Sequence, residues 1–584
     1  MIDSVLPGAI LILGSLIVPL FKGRKKNVYM VILPAITFYL IWKLKPGTYL
    51  NFHFFGLDII PLRVDRLSKV FGYIFSLNAF VAFIYSFWLD DDSQLLPALL
   101  YIGCSLGVVF SGDLLTLYIF WEGMAIFSTF LILARKTEKS QKAAMRYIMV
   151  HISGGLILLA GIVLFIFNTG SLVFEQMKSS DPATLLILIG FLLNAAAPPL
   201  SAWLPDAYPE STVTGGVILS AYTTKTAVYT LVRGFAGWHI LVIVGCIMTI
   251  YGIIYALLEN DMRRILAYSI INQVGFMVCG VGIGTEIAIN GTVAHAFCHI
   301  IYKALLWMSA GSVLYMTGRS RCTDLGGLYK TMPLTLIFGG IGALSISAFP
   351  ATSGFTSKSM IIEGAVHEHM IWTWIVLQVA SAGVFLHAGI KFPYFVFFAK
   401  DSGLRPGETN RSMLLAMAIM SFICIFLGVY PDPLYNVLPY RVGYSAYHLE
   451  HVSSQLQLLM FSALVFFLFL PLLKRTETIS IDTDWVYRRG APLFYKIMDR
   501  GLNGLNDLCE RIFILKMVGK ISEFFAVAPQ KIAYLLYAPF WKIRGKDVSY
   551  LRGDIFRAID KGAMPIGLSA GSAIVFLIVI YLIL

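Results

Sequence analysis

Lys225 lies in the run TTKTAVYTLVR, about twelve residues inside an apolar stretch at 213–233. A lysine at that depth in a membrane is expensive, so its presence points to function, and the depth counts against simple snorkelling. Tyr222 and Tyr229 fall on the same face at helical spacing, and Thr223, Thr224 and Thr226 supply hydroxyls able to hold water. Such a lysine can exchange between charged and neutral forms. Glu122, in TLYIFWEGMAIF, is a carboxylate near the middle of another apolar run, where it would take up a proton or seek a cation. His295, His299 and Lys303 repeat every four residues in HAFCHIIYK and so form one stripe on a helix. His387 and Lys391, again four apart, repeat the theme just ahead of Pro393. The chemistry these groups share is proton transfer along a hydrated intramembrane path.

Other readings attach to the same residues. Histidines at i and i+4 can hold a metal or a haem, although no helix offers a second histidine pair or a carboxylate-rich face to complete such a site. Tyr268 and Asn272, four apart, together with Gln273, line an intervening span either as water-bridging groups or as ordinary interhelical polar contacts. Arg146 and His151 begin a span and read as gates on its cytoplasmic side. Lys358, following a Gly-Phe turn, is expected near the membrane interface.

The elements that must position these groups follow from composition. With 58% hydrophobic and 13% charged residues among 584, and a mean hydropathy of +0.77, the chain reads as an all-α polytopic membrane protein rather than a soluble enzyme. Apolar runs near 5–21, 28–44, 68–89, 95–112, 114–133, 144–167, 183–200, 213–233, 239–258, 265–283, 288–316, 333–350, 372–398, 412–430, 456–473 and 565–584 give about sixteen spans. Basic residues gather in the loops after odd-numbered spans, which places those loops in the cytoplasm and both termini outside. The net charge of +12 therefore fits loop bias and embedded cations, with no nucleic-acid partner. The seven cysteines form no CxxC pair and suggest neither a disulfide framework nor a metal site.

Two features are organisational. A span broken at Pro198-Pro199 and followed by one bearing Lys225 resembles a span broken at FPATSG and followed by one bearing Lys391. Such pairs mark repeat-built transporters, and five spans per repeat, an odd number, would invert the second copy. Residues 474–564 differ in kind, carrying Leu502, Leu505, Leu508, Ile512, Leu515 and Val518 at amphipathic-helix spacing, with interruptions expected at Pro529 and Pro539. The expected divisions are N-terminal spans at 1–94, a first repeat at 95–235, a second at 236–400, further spans at 401–473, an amphipathic cytoplasmic lateral segment at 474–564 and an anchoring span at 565–584.

The motifs FWE, WLPDA, TTKTAVY, RRILAYS, HAFCHIIYKALLW and HAGIKFPYFVFF, in this order around the sites above, resemble the antiporter-like subunits of respiratory complex I, Mrp cation/proton antiporters and membrane-bound hydrogenases. The wording is nearest the D-type Mrp subunit and the hydrogenase-linked subunits, while the trailing segment is similar to the lateral helix of the distal complex I subunit. The resemblance implies two inverted five-helix repeats with broken helices, and a central polar axis. In it Glu122 is the glutamate, Lys225 the central lysine, His295, His299 and Lys303 the bridge, and Lys391 the terminal lysine. The usual first-half lysine, nine residues before the tryptophan of WLPDA, is here Asn194, leaving Lys225 or Arg146 to pair with Glu122. The resemblance further implies a prokaryotic plasma membrane, lipid, other antiporter-like and small membrane subunits, and a hydrogenase or ferredoxin/quinone oxidoreductase module as partners. No flavin, nickel or iron-sulfur motif is present, so no cofactor is expected.

Overall fold

Apolar runs of membrane length can satisfy their backbone internally only as helices or closed barrels, and the computed structural model of this chain is helical. It describes residues 5–471, 482–562 and 566–583. Positions 1–4, 472–473 of the fifteenth expected span, 474–481 and 563–564 of the lateral segment, and 565 and 584 of the last span lie outside the described residues. The chain divides into two compact units, Met1–Asp484 and Trp485–Leu584.

The first unit runs through α1 (Pro7–Ser15), α2 (Arg24–Lys43), β1 (Gly47–Phe54), β2 (Leu57–Val64), α3 (Arg66–Tyr85), α4 (Asp92–Phe110), α5 (Leu114–Leu133) and α6 (Glu138–Thr169). It continues through α7 (Pro182–Asn194), α8 (Trp203–Ala207), α9 (Val213–Leu219), α10 (Thr223–Phe235), α11 (Ile240–Leu258), α12 (Met262–Ile283) and α13 (Glu286–Thr317). Then come α14 (Pro333–Ile346), α15 (Ser353–His367), α16 (Ile371–Val384, prolonged by π-helical turns to Phe398), α17 (Arg411–Val429), α18 (Asp432–Tyr435) and α19 (Leu449–Leu468). Apart from 213–233, which folds as the two helices α9 and α10, each expected apolar run overlaps one of these helices or the last helix of the second unit, and ten described helices are long and apolar enough to cross a membrane. The division between α4 and α5 is set by Asp113, whose carboxylate accepts from Thr116 N at 2.7 Å as a helix cap and from Ile60 N at 2.8 Å.

The duplication is plain in the backbone. The starts of α4, α5 and α6 precede those of α11, α12 and α13 by 148 residues each, and α6 and α13 are both 32 residues long. Both of these long helices open on a threonine cap, Thr137 or Thr285, and close on a left-handed glycine, Gly170 or Gly318. The isolated bridges Asp113–Val173 and Asp261–Arg321 keep the same offset. Both broken helices end alike. Ala196 (φ 61°) and Ala348 (φ 57°) are left-handed. Their N–H groups donate to Leu193 O and Ser345 O, and the next N–H groups to Leu192 O and Leu344 O, all at 3.0 Å. This is the Schellman pattern, which glycine usually closes. An alanine there costs about 1–2 kcal/mol, and it is used at corresponding points twice.

Contacts between loops sort into two faces. On the basic face Lys26 pairs with Asp90 and Asp92, Arg135 with Glu210, and Lys330 with Asp401. Arg263 donates there to Pro209 O, Ser211 O and Thr212 O. On the opposite face Gly112 N donates to Ile60 O, Met177 N to Gly234 O and Gly237 N to Val281 O. Sequence reasoning passed over the antiparallel hairpin β1–β2 that marks this second face. Its turn, Phe55 (φ 50°) and Gly56 (φ 79°), has the two positive φ angles a tight hairpin requires.

The second unit comprises α20 (Asp484–Met498), π-helical turns flanking α21 (Gly504–Cys509), α22 (Gly519–Ala526), α23 (Ala528–Ile543), α24 (Val548–Gly562) and α25 (Ile566–Ile583). The expected interruption at Pro529 is present as the break at Val527. Pro539 interrupts nothing, because α23 runs through it. Within the unit α24 returns along α23, with Gln530 Nε2 donating to Asp560 Oδ1 at 2.7 Å. The predicted apolar stripe is exposed in the isolated chain, Leu502 at 62% and Leu515 at 65%.

Candidate ion-translocation site

A helix interruption positions Lys225. The apolar run at 213–233 folds as two helices, α9 and α10, and the gap between them frees backbone carbonyls. Lys225 Nζ, fully buried, donates to one of these, Ser220 O at 2.6 Å, and to Thr224 Oγ1 at 3.1 Å. Tyr222 caps α10 and Tyr229 stands four residues past Lys225 within it, but among the described residues neither hydroxyl bonds to the lysine. Tyr222 instead donates to Phe75 O at 3.0 Å, and Tyr229 to Val109 O, fastening α10 to α3 and α4.

From Lys225 a buried polar line continues on α13. Lys303 lies within electrostatic reach of Lys225, and His299 within reach of Lys225, Lys303, His295 and Lys358. Among the described residues neither ring nitrogen of His299 nor Nζ of Lys303 has a hydrogen-bond partner. Complete burial without a partner is costly for such groups and is the usual mark of an internal water site. His295 is fixed at both nitrogens, with Nε2 3.1 Å from Gln273 Oε1 and Nδ1 3.2 Å from Ser357 Oγ. Gln273 donates to Asn272 Oδ1 at 2.6 Å, and Asn272 to Thr249 O at 2.8 Å. Asn272 thus belongs to the histidine network. Tyr268 does not: it reaches the basic face and donates to Asp482 Oδ2 at 2.5 Å, beside Tyr251, which donates to the same carboxylate.

The second broken helix supplies the residue that sequence reasoning misplaced. Lys358 is buried at 1% exposure rather than at an interface, and its Nζ donates to Ile346 O at 2.9 Å, a carbonyl freed by the break between α14 and α15. A Gly-Phe turn reads as a membrane edge, yet here it lies where the helix breaks inside the core. Lys391 sits at the other end of this half. Its Nζ donates to Ala256 O and Leu257 O at 2.6 Å and Glu259 O at 2.8 Å, the carbonyls that close α11 on the basic face, where the helix dipole favours a cation. Burial pushes the neighbouring Glu259 carboxyl up, against the pull of Arg264. His387, with Nδ1 2.8 Å from Gly383 O, lies within reach of Lys303, Lys391 and Lys358.

The first half is arranged differently from expectation. Arg146 does not meet Glu122. It forms a bidentate pair with Asp206 of WLPDA, at 2.7 and 2.8 Å. Lys225 is held by Ser220, so neither candidate partner pairs with Glu122, whose buried Oε1 has no hydrogen-bond partner among the described residues. The Glu122 carboxylate packs on Gly155 of α6, where any Cβ would collide with it. Counted at the 148-residue offset, Gly155 is the counterpart of Lys303, and His151 that of His299. His151 is buried against Trp203, ring centroids 4.6 Å apart, rather than standing at a cytoplasmic gate. Asn194 ends α7 at 2% exposure, two residues before Ala196. Among the described residues no three His, Cys, Asp or Glu side chains gather in a way that could hold a metal ion.

Residues 111–384 match the family model described as NADH:quinone oxidoreductase/Mrp antiporter, transmembrane. The chain is 28% identical over 353 residues to the D-type Na(+)/H(+) antiporter subunit of Alkalihalophilus pseudofirmus, covering 56% of this chain and 71% of that protein. It is 29% identical over 433 residues to the A1-type Na(+)/H(+) antiporter subunit of Staphylococcus aureus, covering 65% of this chain but only 54% of that protein, so it spans about half the length of that relative. Among solved structures, one chain of the Mrp complex of a Dietzia species superposes with a TM-score of 0.76 at 22% identity, covering 91% of this chain and 63% of that one, a likeness of fold. The segment matched by that family model, residues 111–384, is the one that carries Glu122, Lys225 and the α13 stripe.

Proposed function

We propose that this chain translocates protons, in exchange for sodium, as one component of a multi-subunit complex in a prokaryotic plasma membrane. The observation that carries this reading is the set Lys225, Lys303 and His299: buried, mutually within electrostatic reach, with His299 and Lys303 lacking hydrogen-bond partners among the described residues. Like charges so placed cannot all be protonated together, so a proton arriving at one displaces a proton from the next. The line runs from Lys225 through Lys303 and His299 to His295 and Lys358, with a branch through His387 to Lys391. Glu122, seated on Gly155, sets the field at the beginning of the line, and Asn194 leaves Lys225 as the lysine of the first half. The positive-inside rule assigns the basic face, with Lys391, to the cytoplasm, and the lateral segment is assigned to the same side. The sodium half of the exchange rests on the Na(+)/H(+) antiporter names of the relatives.

Partners in this reading are other antiporter-like and small membrane subunits, with an ion gradient or a redox module as the energy source. Replacing Lys303 by methionine in the assembled complex, in sealed vesicles, is expected to lower proton flux by about a hundredfold, with Lys303→Arg also impaired. Unchanged flux in Lys303→Met would overturn the reading. The exposed stripe from Leu502 to Val518 favours a second, compatible role in holding neighbouring subunits together.

A further inference from the structure

The chain carries no CxxC pair, yet the fold brings two of its cysteines together. Helices α11 and α12 run antiparallel in backbone contact: a Cβ on Gly245 would fall 2.4 Å from Cys279 N, and one on Gly275 would fall 2.8 Å from Gly245 O. At this level the thiols of Cys246 and Cys279 lie within hydrogen-bond distance of each other. A disulfide needs Cα atoms about 4.4–6.8 Å apart, a separation that helices in backbone contact provide.

The two thiols differ in surroundings. Cys279 is fully buried, in the apolar cluster that includes Phe276, Ile361 and Leu377. Cys246 is half-buried, flanked along α11 by Ile243 and Ile247, which are 58% and 53% exposed on the outward, bilayer-facing side of the helix. A reagent that reaches Cys246 therefore arrives dissolved in lipid, and Cys279 stands behind it. Packing demands neither sulfur. At the 148-residue offset the counterparts in α4 and α5 are Ala98 and Leu131, both buried, and those helices close at that level without a thiol.

We infer that Cys246 and Cys279 form a redox-modification site for a membrane-dissolved organic hydroperoxide, the chemical class of an oxidised acyl chain, with Cys246 the attacking sulfur and Cys279 the resolving one. The Cys246 sulfur attacks a peroxide oxygen, the O–O bond breaks, and the thiol proton passes to the departing alkoxide, giving an alcohol and a sulfenic acid. The Cys279 sulfur then attacks the sulfenic sulfur. An S–S bond replaces the S–O bond, and the hydroxyl leaves with the Cys279 proton as water. The two thiols give up two electrons in all, and these reduce the hydroperoxide. The new bond ties α11 to α12 three residues along α11 from Thr249, whose carbonyl accepts from Asn272. This chemistry is independent of ion translocation.

The assembled complex, carrying Cys509→Ser and reduced beforehand, is placed in vesicles and exposed to cumene hydroperoxide, and its peptides are mapped by mass without reduction. A linked Cys246–Cys279 peptide, lighter by two hydrogens, is expected. In Cys279→Ser a sulfenic acid is expected to accumulate at Cys246 and to be captured by dimedone, while in Cys246→Ser Cys279 is expected to stay reduced. Hydrogen peroxide, which partitions into water, is expected to act about tenfold more slowly at equal concentration. Thiols that stay reduced in a large excess of cumene hydroperoxide overturn the site. Oxidation of Cys279 in Cys246→Ser overturns the order of attack, and equal rates with the two peroxides overturn the lipid route.

Discussion

Asp206 and Lys358 occupy the same position in the two repeats: each stands ten residues beyond the left-handed alanine of its broken helix, Ala196 or Ala348. The charges are opposite, and so are their partners. Asp206 holds Arg146 toward the basic face, while Lys358 donates to a freed carbonyl in the core. The duplicated frame thus carries an ion pair in one copy and, among the described residues, a cation without an ion-pair partner in the other.

The Arg146–Asp206 pair is predicted to be structural. Arg146→Gln leaves a carboxylate at 7% exposure without its bidentate partner, and the expected loss is about 2–3 kcal/mol. Adding Asp206→Asn should recover a large part of it. A double-mutant cycle on the thermal midpoint of the purified complex measures the coupling, and additive losses would contradict the pairing.

Lys358 is predicted to act in transport. Lys358→Ala should preserve assembly, judged by size-exclusion chromatography of the complex, while lowering proton flux by about a hundredfold. Native flux in this variant would remove Lys358 from the line.

At Asp65 the prediction concerns pH. Burial pushes this carboxyl up, but Arg233 at 2.7 Å, the Ser68 N–H and Arg63 outweigh it and hold it below the ordinary value of 3.8. A depressed carboxylate stabilises fully above its unfolded value and loses that contribution as pH falls through the folded one. Asp65→Asn should therefore lower the melting temperature at pH 6, by the equivalent of about 1 kcal/mol after solvent screening. The difference from the parent should shrink below about pH 4. A gap that persists at low pH would contradict the assignment.

Matching responses are predicted at the two left-handed alanines. Ala196→Val and Ala348→Val should each destabilise by about 1 kcal/mol or more, because a β-branched residue tolerates positive φ poorly. The glycine variants should be near neutral, relief of strain offsetting unfolded-chain entropy. Chemical denaturation of the four variants checks the correspondence.

Spans, breaks and the histidine stripe were legible because ionisable residues are rare in apolar runs and because proline and glycine punctuate them. What escaped has specific physical causes. Tyr222 and Tyr229 keep their helical spacing to Lys225, but their hydroxyls bond Phe75 O and Val109 O, partners that only tertiary packing supplies. Arg146 finds Asp206 sixty residues away, a pairing no local pattern reveals. Lys358 follows a turn that looks interfacial but lies within the core. The β1–β2 hairpin turns on Phe55-Gly56, a pair without the usual asparagine or aspartate signal.

The most direct test of the account is Lys225→Ala in the assembled complex, sealed in vesicles and energised by a sodium gradient or the partner redox reaction. With Asn194 in place of a second lysine, the account predicts that the transmembrane pH gradient fails to form while the complex remains intact. A normal pH gradient with Lys225→Ala would contradict it.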